Sequence, residues 1–344
     1  MKMAPIIQDL EKNGNNVVIV HTGQHYDSNM SDDILNDLEL REPDYHLGIM
    51  NGSHAQQTAN IMINFEKICI EVLPKIVIVA GDVNSTLACS LVASKLNIKI
   101  AHVESGLRSF DKNMPEEINR IITDHISDLL FTTEKSGNMN LINEGIVKEK
   151  IHFVGNCMID SLQKYIMHAK KLKPWLKYGL SNTLYALVTL HRPSNVDKKF
   201  ELSKYIDILN QISTDCSILF PCHPRTLKNI KNFKLKLSSS INLVPPLGYI
   251  EFLGLLSNSS FVLTDSGGIQ EETTALKIPC ITLRENTERP ITIDAGTNIL
   301  AGTDKGNILS EVKKIIDGNI KVSHIPELWD GKTAQRITEI ISKV

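Results

Sequence analysis

Short, wholly apolar runs alternate with helical patterns along this chain, and that alternation constrains its fold more than any other feature. The runs lie at residues 17–20, 76–80, 98–103, 129–131 and 151–154, then at 185–190, 217–220, 241–244, 261–263, 279–283 and 299–300. A strand that is apolar on both faces must be covered on both, so the pattern predicts parallel sheets flanked by helices. At 344 residues the chain exceeds what one hydrophobic core usually serves. The predicted fold is therefore α/β, with two Rossmann-like doubly wound domains and a central cleft. The basic stretch at 163–182, with its proline and closing turn residues, is the predicted hinge. It divides an N-terminal domain, 1–162, from a C-terminal domain, 163–331. Residues 332–344 have helical periodicity and are expected to pack back on the first domain.

Charge and cysteine usage narrow the function classes. A formal charge of −2 supplies no field that draws the protein to nucleic acid or an anionic membrane. The six cysteines are scattered without a C-x-x-C pair, mostly inside apolar runs, and suggest neither disulfides nor a zinc site. The first residues read as an amphipathic helix, not a signal peptide. No apolar stretch reaches the ~18 residues needed to span a bilayer. The expectation is a soluble, cytoplasmic protein.

In open α/β sheets ligands gather beyond the carboxyl ends of the strands, so polar residues directly after the apolar runs are the candidates. Asp82 follows one run in VIVAGDVNST, and Glu104 ends another in IAHVESGLRSF. Glu116 opens a helix behind Pro115 in MPEEINRIITDH. Proline beside carboxylates is also a plain helix-start signature, so Glu116 reads equally well as a helix-capping acid. Three carboxylates converging on one edge would form an acid/base set. In ALVTLHRPSN, His191 and Arg192 end the second domain's first strand. FVLTDSGGIQEE places Ser266, Gly267 and Gly268 before a helix predicted to open near Ile269, where free backbone amides bind an oxyanion. Glu272, a turn into that helix, is within reach of a ribose hydroxyl. His223 and Arg225 in FPCHPRT, and Arg289 in TERP, are further candidates for phosphate or nucleotide contact. There is no G-x-G-x-x-G after the first strand and no Walker lysine, so nicotinamide and ATP readings lack their fingerprint. The spacing of His25, His191 and His223 fits no ligand motif, so neither a metal nor a cofactor is predicted.

Eight of these segments occur in a familiar order: GQHYD at Gly23, GD-x-NST at Gly81, HVESGLRS at His102, MPEEINR at Met114, HR at His191, HPRT at His223, TDSGGIQEE at Thr264 and TERP at Thr287. From Lys2 nearly to the C-terminus the sequence resembles bacterial and archaeal UDP-N-acetylglucosamine 2-epimerases. The resemblance implies the glycosyltransferase-B fold and interconversion of UDP-N-acetylglucosamine with UDP-N-acetylmannosamine, without a redox cofactor. UDP would be eliminated to leave a 2-acetamidoglucal, then added back with the opposite C2 configuration. Asp82, Glu104 and Glu116 match the family's acid/base carboxylates, and His191 its active-site histidine. Ser266, Gly267 and Gly268 match the diphosphate cradle, Glu272 the ribose contact, Arg289 a nucleotide-side arginine and Phe252 an aromatic near the uracil. Gln24, Gln57 and His223 resemble the positions that hold an activating second UDP-N-acetylglucosamine in the non-hydrolysing branch. The same resemblance implies a homodimer that supplies N-acetylmannosamine for surface polysaccharide.

Family members open with a buried strand and a G-T-R-P-E turn, whereas this chain opens at MKMAP, so Lys2 alone represents that substrate site. The expectation is an N-terminal sheet one strand short, with neighbouring apolar surface exposed. The alternatives are a hydrolysing epimerase releasing N-acetylmannosamine and UDP, a glycosyltransferase of the same fold, a truncated UDP-sugar-binding relative, and an epimerase of a modified UDP-2-acetamido sugar.

Overall fold

The structure, a computed structural model, describes residues 1–23, 35–49, 52–181 and 183–344. Gln24 and His25 lie outside the described residues. By its internal packing the chain forms two units, one of Met1–Ser161 with Glu327–Val344 and one of Leu162–Pro326.

The first unit holds the helix α1 (Met3–Lys12), short strands β1 (Val20–His21) and β2 (Tyr45–His46), then α2 (His54–Val72), β3 (Ile76–Ala80), α3 (Asn84–Lys95), β4 (Lys99–Ser105), α4 (Pro115–Ile126), β5 (Leu129–Thr132), α5 (Lys135–Asn143) and β6 (Ile151–Phe153). Strands β3 to β6 pair in sequence order, all parallel. The alternation of side chains along them builds two cores. Val77, Val79 and Ile100 pack with Ile61 and Phe65 of α2 and Ala88 and Val92 of α3 on one face. Ala101, Val103 and Phe131 pack with Ile6 and Leu10 of α1 on the other.

Strands β1 and β2 form a separate parallel pair, and among the described residues no ladder joins them to β3. Val20 nonetheless packs against the same apolar cluster as Val77 and Val79. The strand expected at 17–20 is thus reduced to its last residue plus His21, and the partner strand at Tyr45–His46, too short and polar to read as a strand, was not anticipated. On β3, Ile76, Ile78 and Ala80 are only half-buried. These three residues pack against the cluster of Ile6 and Leu10 without being wholly covered by it.

The last residues of the chain complete this unit. Trp329, 2% exposed, donates from Nε1 to the Thr133 carbonyl at 3.0 Å. The helix α14 (Thr333–Ile341) places Ala334 and Ile337 in the core with Ile6 and Leu10. Asp160 accepts from the Ala334 amide at 2.7 Å, and Arg336 donates to the Val154 carbonyl at 3.0 Å.

The second unit follows from α6 (Cys157–Leu172), whose first turns belong to the first unit. Its elements are β7 (Tyr185–Thr189), α7 (Pro193–Val196), α8 (Lys199–Ile212), β8 (Ser217–Pro221), α9 (Pro224–Asn232), β9 (Ile241–Val244), α10 (Tyr249–Asn258), β10 (Phe261–Thr264), α11 (Gly267–Leu276), β11 (Cys280–Thr282), α12 (Ile291–Asp294), β12 (Asn298–Leu300) and α13 (Lys305–Ile316). The sheet is all parallel in the order β9-β8-β7-β10-β11-β12. This is the doubly wound order whose strand direction of travel reverses between the first and fourth strands. The reversal falls between β7 and β10, where Thr189 pairs with Thr264. Helix α11 begins at Gly267, two positions ahead of the expected opening, because Ser266 is already an extended N-cap residue.

Among the described residues no helix is long and apolar enough to cross a membrane.

Gly155 carries the tightest approach of the C-terminal strap. Its φ is +95°, and a Cβ there would overlap the Leu328 carbonyl oxygen. Gly155→Ala is therefore expected to destabilise the first unit by roughly 2–4 kcal/mol. A lowered melting temperature and a red shift of Trp329 fluorescence would report the release of the strap; an unchanged melt would contradict it.

Candidate active site

In the first unit the candidate carboxylates sit on the loops after β3 and β4. Glu104 lies where the β4–β5 register slips between Val103 and Ser105, and its φ is +69°. A non-glycine residue in the left-handed region within a strand is strained, and such strain is held only by strong surrounding constraints. One constraint is the ion pair between Glu104 and Lys2. Gly81 lies beside that pair, and its φ of +72° favours glycine.

Asp82 is held at two points. Its carbonyl accepts from Asn119 Nδ2 at 2.9 Å, and its carboxylate is ion-paired with Arg120. Both partners are buried on α4. Glu116, at the first turn of the same helix, is half-buried. Gln57 reaches this loop through a polar chain: Asn84 Nδ2 donates to Gln57 Oε1 at 3.0 Å, and Asn119 Nδ2 lies 3.3 Å from Asn84 Oδ1. The structure thus gathers Lys2, Glu104 and Gly81, and it links Gln57 to Asp82.

Beneath these loops is a network that the sequence reading passed over. His102, fully buried on β4, bridges the Asp124 carboxylate at 2.6 Å and the Gly81 carbonyl at 2.8 Å. Asp124 also accepts from the Gly106 amide at 3.1 Å and pairs with Arg108 at 2.7 Å. Against the upward push of burial, His102 and Arg108 hold the Asp124 carboxyl below its usual range. The available signal was the spacing of Glu117, Arg120 and Asp124, charges recurring at helical period on the face of α4 that turns inward.

In the second unit the candidates meet at the strand-order reversal. His191 follows β7, and its Nδ1 lies 2.8 Å from Asp265 Oδ1 at the end of β10. Asp265, fully buried, also accepts from the His191 amide at 3.1 Å, the Arg192 amide at 2.9 Å and Asn195 Nδ2 at 3.1 Å. Burial would raise its pKa, but the His191 ring and these amides hold it below the usual range. Asp265, not singled out from the sequence, is therefore the residue that sets both the backbone and the ring orientation of His191.

Ser266 makes no side-chain cap to α11, so it does not occupy the first-turn amides of that helix. A Cβ on Gly267 would overlap Arg289 Nη1, so the absence of a side chain there lets the guanidinium reach the helix start. Arg289 is itself buried and paired with Glu271 at 2.9 Å and with Glu288. Glu288 is driven up by burial, yet Arg289 and Arg284 hold it far below the usual carboxylate range. Amides and a guanidinium converging at a helix N-terminus are suited to a diphosphate. Phe252 is half-buried on α10. His223 is the N-cap of α9, its Nδ1 accepting from the Arg225 amide at 3.2 Å.

Glu272 is 2% exposed, and its Oε1 is buried without a hydrogen-bond partner among the described residues. Burial pushes its pKa up to about 7; the charge on Glu271 adds to the rise and Tyr249 works against it.

Three comparisons bear on these two sets of residues. The family model for UDP-N-acetylglucosamine 2-epimerase matches residues 8–342. A UDP-N-acetylglucosamine 2-epimerase of Methanococcus maripaludis is 44% identical over 350 residues, covering 99% of this chain and 94% of the relative. A UDP-2,3-diacetamido-2,3-dideoxy-D-glucuronate 2-epimerase of Pseudomonas aeruginosa is 39% identical over 332 residues, covering 95% and 91%. The crystal structure of the Methanocaldococcus jannaschii UDP-GlcNAc 2-epimerase in complex with UDP-GlcNAc and UDP aligns with a TM-score of 0.92 at 43% identity, over 100% of this chain and 96% of that one. The two Rossmann-like units are accordingly of the glycosyltransferase-B type.

The raised pKa of Glu272 has a signed consequence. Between its ordinary value of 4.5 and about 7 the folded chain keeps a proton that the unfolded chain has released. Stability from this group therefore falls as pH rises through that window and stays low above it. Glu272→Gln is expected to raise the melting temperature relative to the parent more at pH 8 than at pH 5. Equal differences at the two pH values would show that Glu272 is not buried in this way.

Proposed function

The chain belongs to the UDP-N-acetylglucosamine 2-epimerase family, and we propose from its two residue sets how it carries out that chemistry. It is an isomerase that interconverts UDP-N-acetylglucosamine and UDP-N-acetylmannosamine. The C2 proton is not adjacent to a carbonyl, so its removal must be coupled to departure of UDP from C1. In our reading the C2–H electron pair becomes the C1–C2 double bond, the C1–O pair leaves with UDP, and a carboxylate takes the proton. UDP then adds back to the 2-acetamidoglucal while a proton is delivered to the opposite face of C2.

Asp82, Glu104 and Glu116 are assigned to the proton transfers, with Lys2 as a sugar contact paired to Glu104. The amides of Ser266, Gly267 and Gly268, with Arg289, are assigned to the diphosphate, where they stabilise charge that develops as the C1–O bond breaks. His191, oriented by Asp265, is assigned to the diphosphate side, Glu272 to the ribose and Phe252 to the uracil. The observation that carries the reading is the His191–Asp265 pair beside the uncapped start of α11, at the reversal of strand order where such sheets bind nucleotides.

A second reading keeps the reaction and changes the sugar. A relative 39% identical that is named for a diacetamido glucuronate keeps a modified UDP-2-acetamido sugar as the alternative, behind the UDP-N-acetylglucosamine reading carried by the 44% relative. We further assign Gln57 and His223 to a second, activating nucleotide sugar; Gln57 has a polar path to the Asp82 loop. Free thiols on all six cysteines support a cytoplasmic setting, and the product is assigned to surface polysaccharide. A homodimer is supported by the exposed Ile118 and Ile122 on α4, beside a groove of about 360 Å³ lined also by Ala55 and Met62.

Incubation with UDP-N-acetylglucosamine in deuterated water, followed by proton and phosphorus NMR, tests the chemistry. UDP-N-acetylmannosamine carrying deuterium at C2 is the expected product. Free N-acetylmannosamine with UDP would move the chain to the hydrolysing reaction, and ligand-induced thermal stabilisation without turnover would leave a binding protein. Light scattering is expected to give twice the chain mass of 38.4 kDa; a mass of one chain would remove the dimer.

A further inference from the structure

Arg120 is an expensive residue for this fold. It is 3% exposed, and a guanidinium in such a place must be paired on more than one side. One partner is Glu117, a turn earlier on α4, at 2.6 Å. That carboxylate is already well used: it accepts from the Ser109 amide at 2.9 Å, the Ser109 hydroxyl at 2.8 Å and the Phe110 amide at 2.9 Å. Glu117 thus anchors the loop after β4 and one arm of Arg120. The other arm reaches away from the helix to the Asp82 carboxylate, whose side chain keeps 29% of its surface. Here the second arm of Arg120 is spent on the partly exposed acid of a strand-end loop.

Resting on the function proposed above, we propose that Arg120 is the positioning residue that holds Asp82 as an oriented carboxylate, ready to take the C2 proton on the face it addresses. Arginine stays charged under all working conditions, and its planar fork fixes a carboxylate's direction as well as its charge. Asp82 takes the proton as the C2–H pair closes the C1–C2 double bond and the C1–O pair leaves with UDP. Asn119 fixes the backbone of the same residue, so carbonyl and carboxylate are both tied to α4.

Among the described residues, the charged groups placed around Asp82 come from three directions. Arg120 faces it from α4 with Glu117 behind; Lys2 and Glu104 lie across Gly81; His102 reaches the Gly81 carbonyl from β4. Arg120→Gln removes only the first. The test is the pH profile of kcat/KM for epimerisation in the parent, in Arg120→Gln and in Arg120→Lys, with melting temperature and UDP binding measured alongside. Losing the cation is expected to move the acid limb of Arg120→Gln upward by about one pH unit or more, because an opposite charge no longer favours the ionised acid. At neutral pH kcat is expected to fall on the order of 100-fold while KM changes little. Arg120→Lys keeps the charge but cannot bridge two carboxylates, so its limb stays near the parent's while kcat falls about tenfold. A loss of rate equal at every pH in Arg120→Gln overturns the inference. If that variant does not fold, parental kcat in Arg120→Lys overturns it. An inactive parent enzyme would instead defeat the functional reading itself.

Discussion

An all-parallel sheet delivers the carboxyl end of every strand to one edge, and the placement of each candidate residue depends on that constraint. In the second unit β7 and β10 are hydrogen-bonded neighbours, yet the chain leaves them toward opposite sides of the sheet order. Their loops diverge and leave space above the ladder. His191 emerges from one strand and Ser266 from the other, at a level set by the pairing of Thr189 with Thr264, whose hydroxyls lie 2.6 Å apart. No loop sequence could bring a histidine and an uncapped helix start together here if the strand order ran the other way.

Within that constraint, each unit fixes its strand-end loops with a buried acid. Asp265 gathers the His191 and Arg192 amides, Asn195 and the His191 ring. Asp124 gathers the Gly106 amide, Arg108 and the His102 ring, and through His102 it reaches the Gly81 carbonyl. Burying a carboxylate costs several kcal/mol before its partners compensate, and well-packed apolar residues often serve stability as well or better. The return on such an acid is geometric. Several donors fixed on one small group leave the loop very few conformations, and the loops so fixed are those carrying Asp82, Glu104 and His191.

The sheet-and-helix fold and most strand positions were legible because wholly apolar runs bounded by turn residues have few other readings. Strand-end position also singled out Asp82, Glu104 and His191, since the edge rule follows from topology alone. Three features were not legible. The strand at Tyr45–His46 is two residues long and polar, so pairing with β1, not its own composition, makes it a strand. The left-handed turn at Glu104 arises from a register slip that no periodicity records. Arg120, His102 and Asp124 were read past because nothing beside them in the sequence names their partners. Their roles come from partners 22 to 38 positions away in the chain, as the pairs His102–Asp124 and Asp82–Arg120 show.

The two units also differ in how they treat charge, and the difference matches the demands of the reaction. In the first, two strand-end acids are balanced: Asp82 by Arg120, Glu104 by Lys2. In the proposed reaction, groups that exchange protons with a weakly acidic carbon need fixed position and a defined starting charge, and ion pairing supplies both. In the second, the helix start and Arg289 concentrate positive potential, while Glu288 and Glu271 keep the guanidinium from being an uncompensated buried cation. Glu272 stands outside that balance, buried and pushed toward its neutral form. A neutral carboxyl can both donate to and accept from a hydroxyl without placing negative charge beside a diphosphate. That is the state in which an acid buried in the same short helix as the proposed anion cradle can be tolerated.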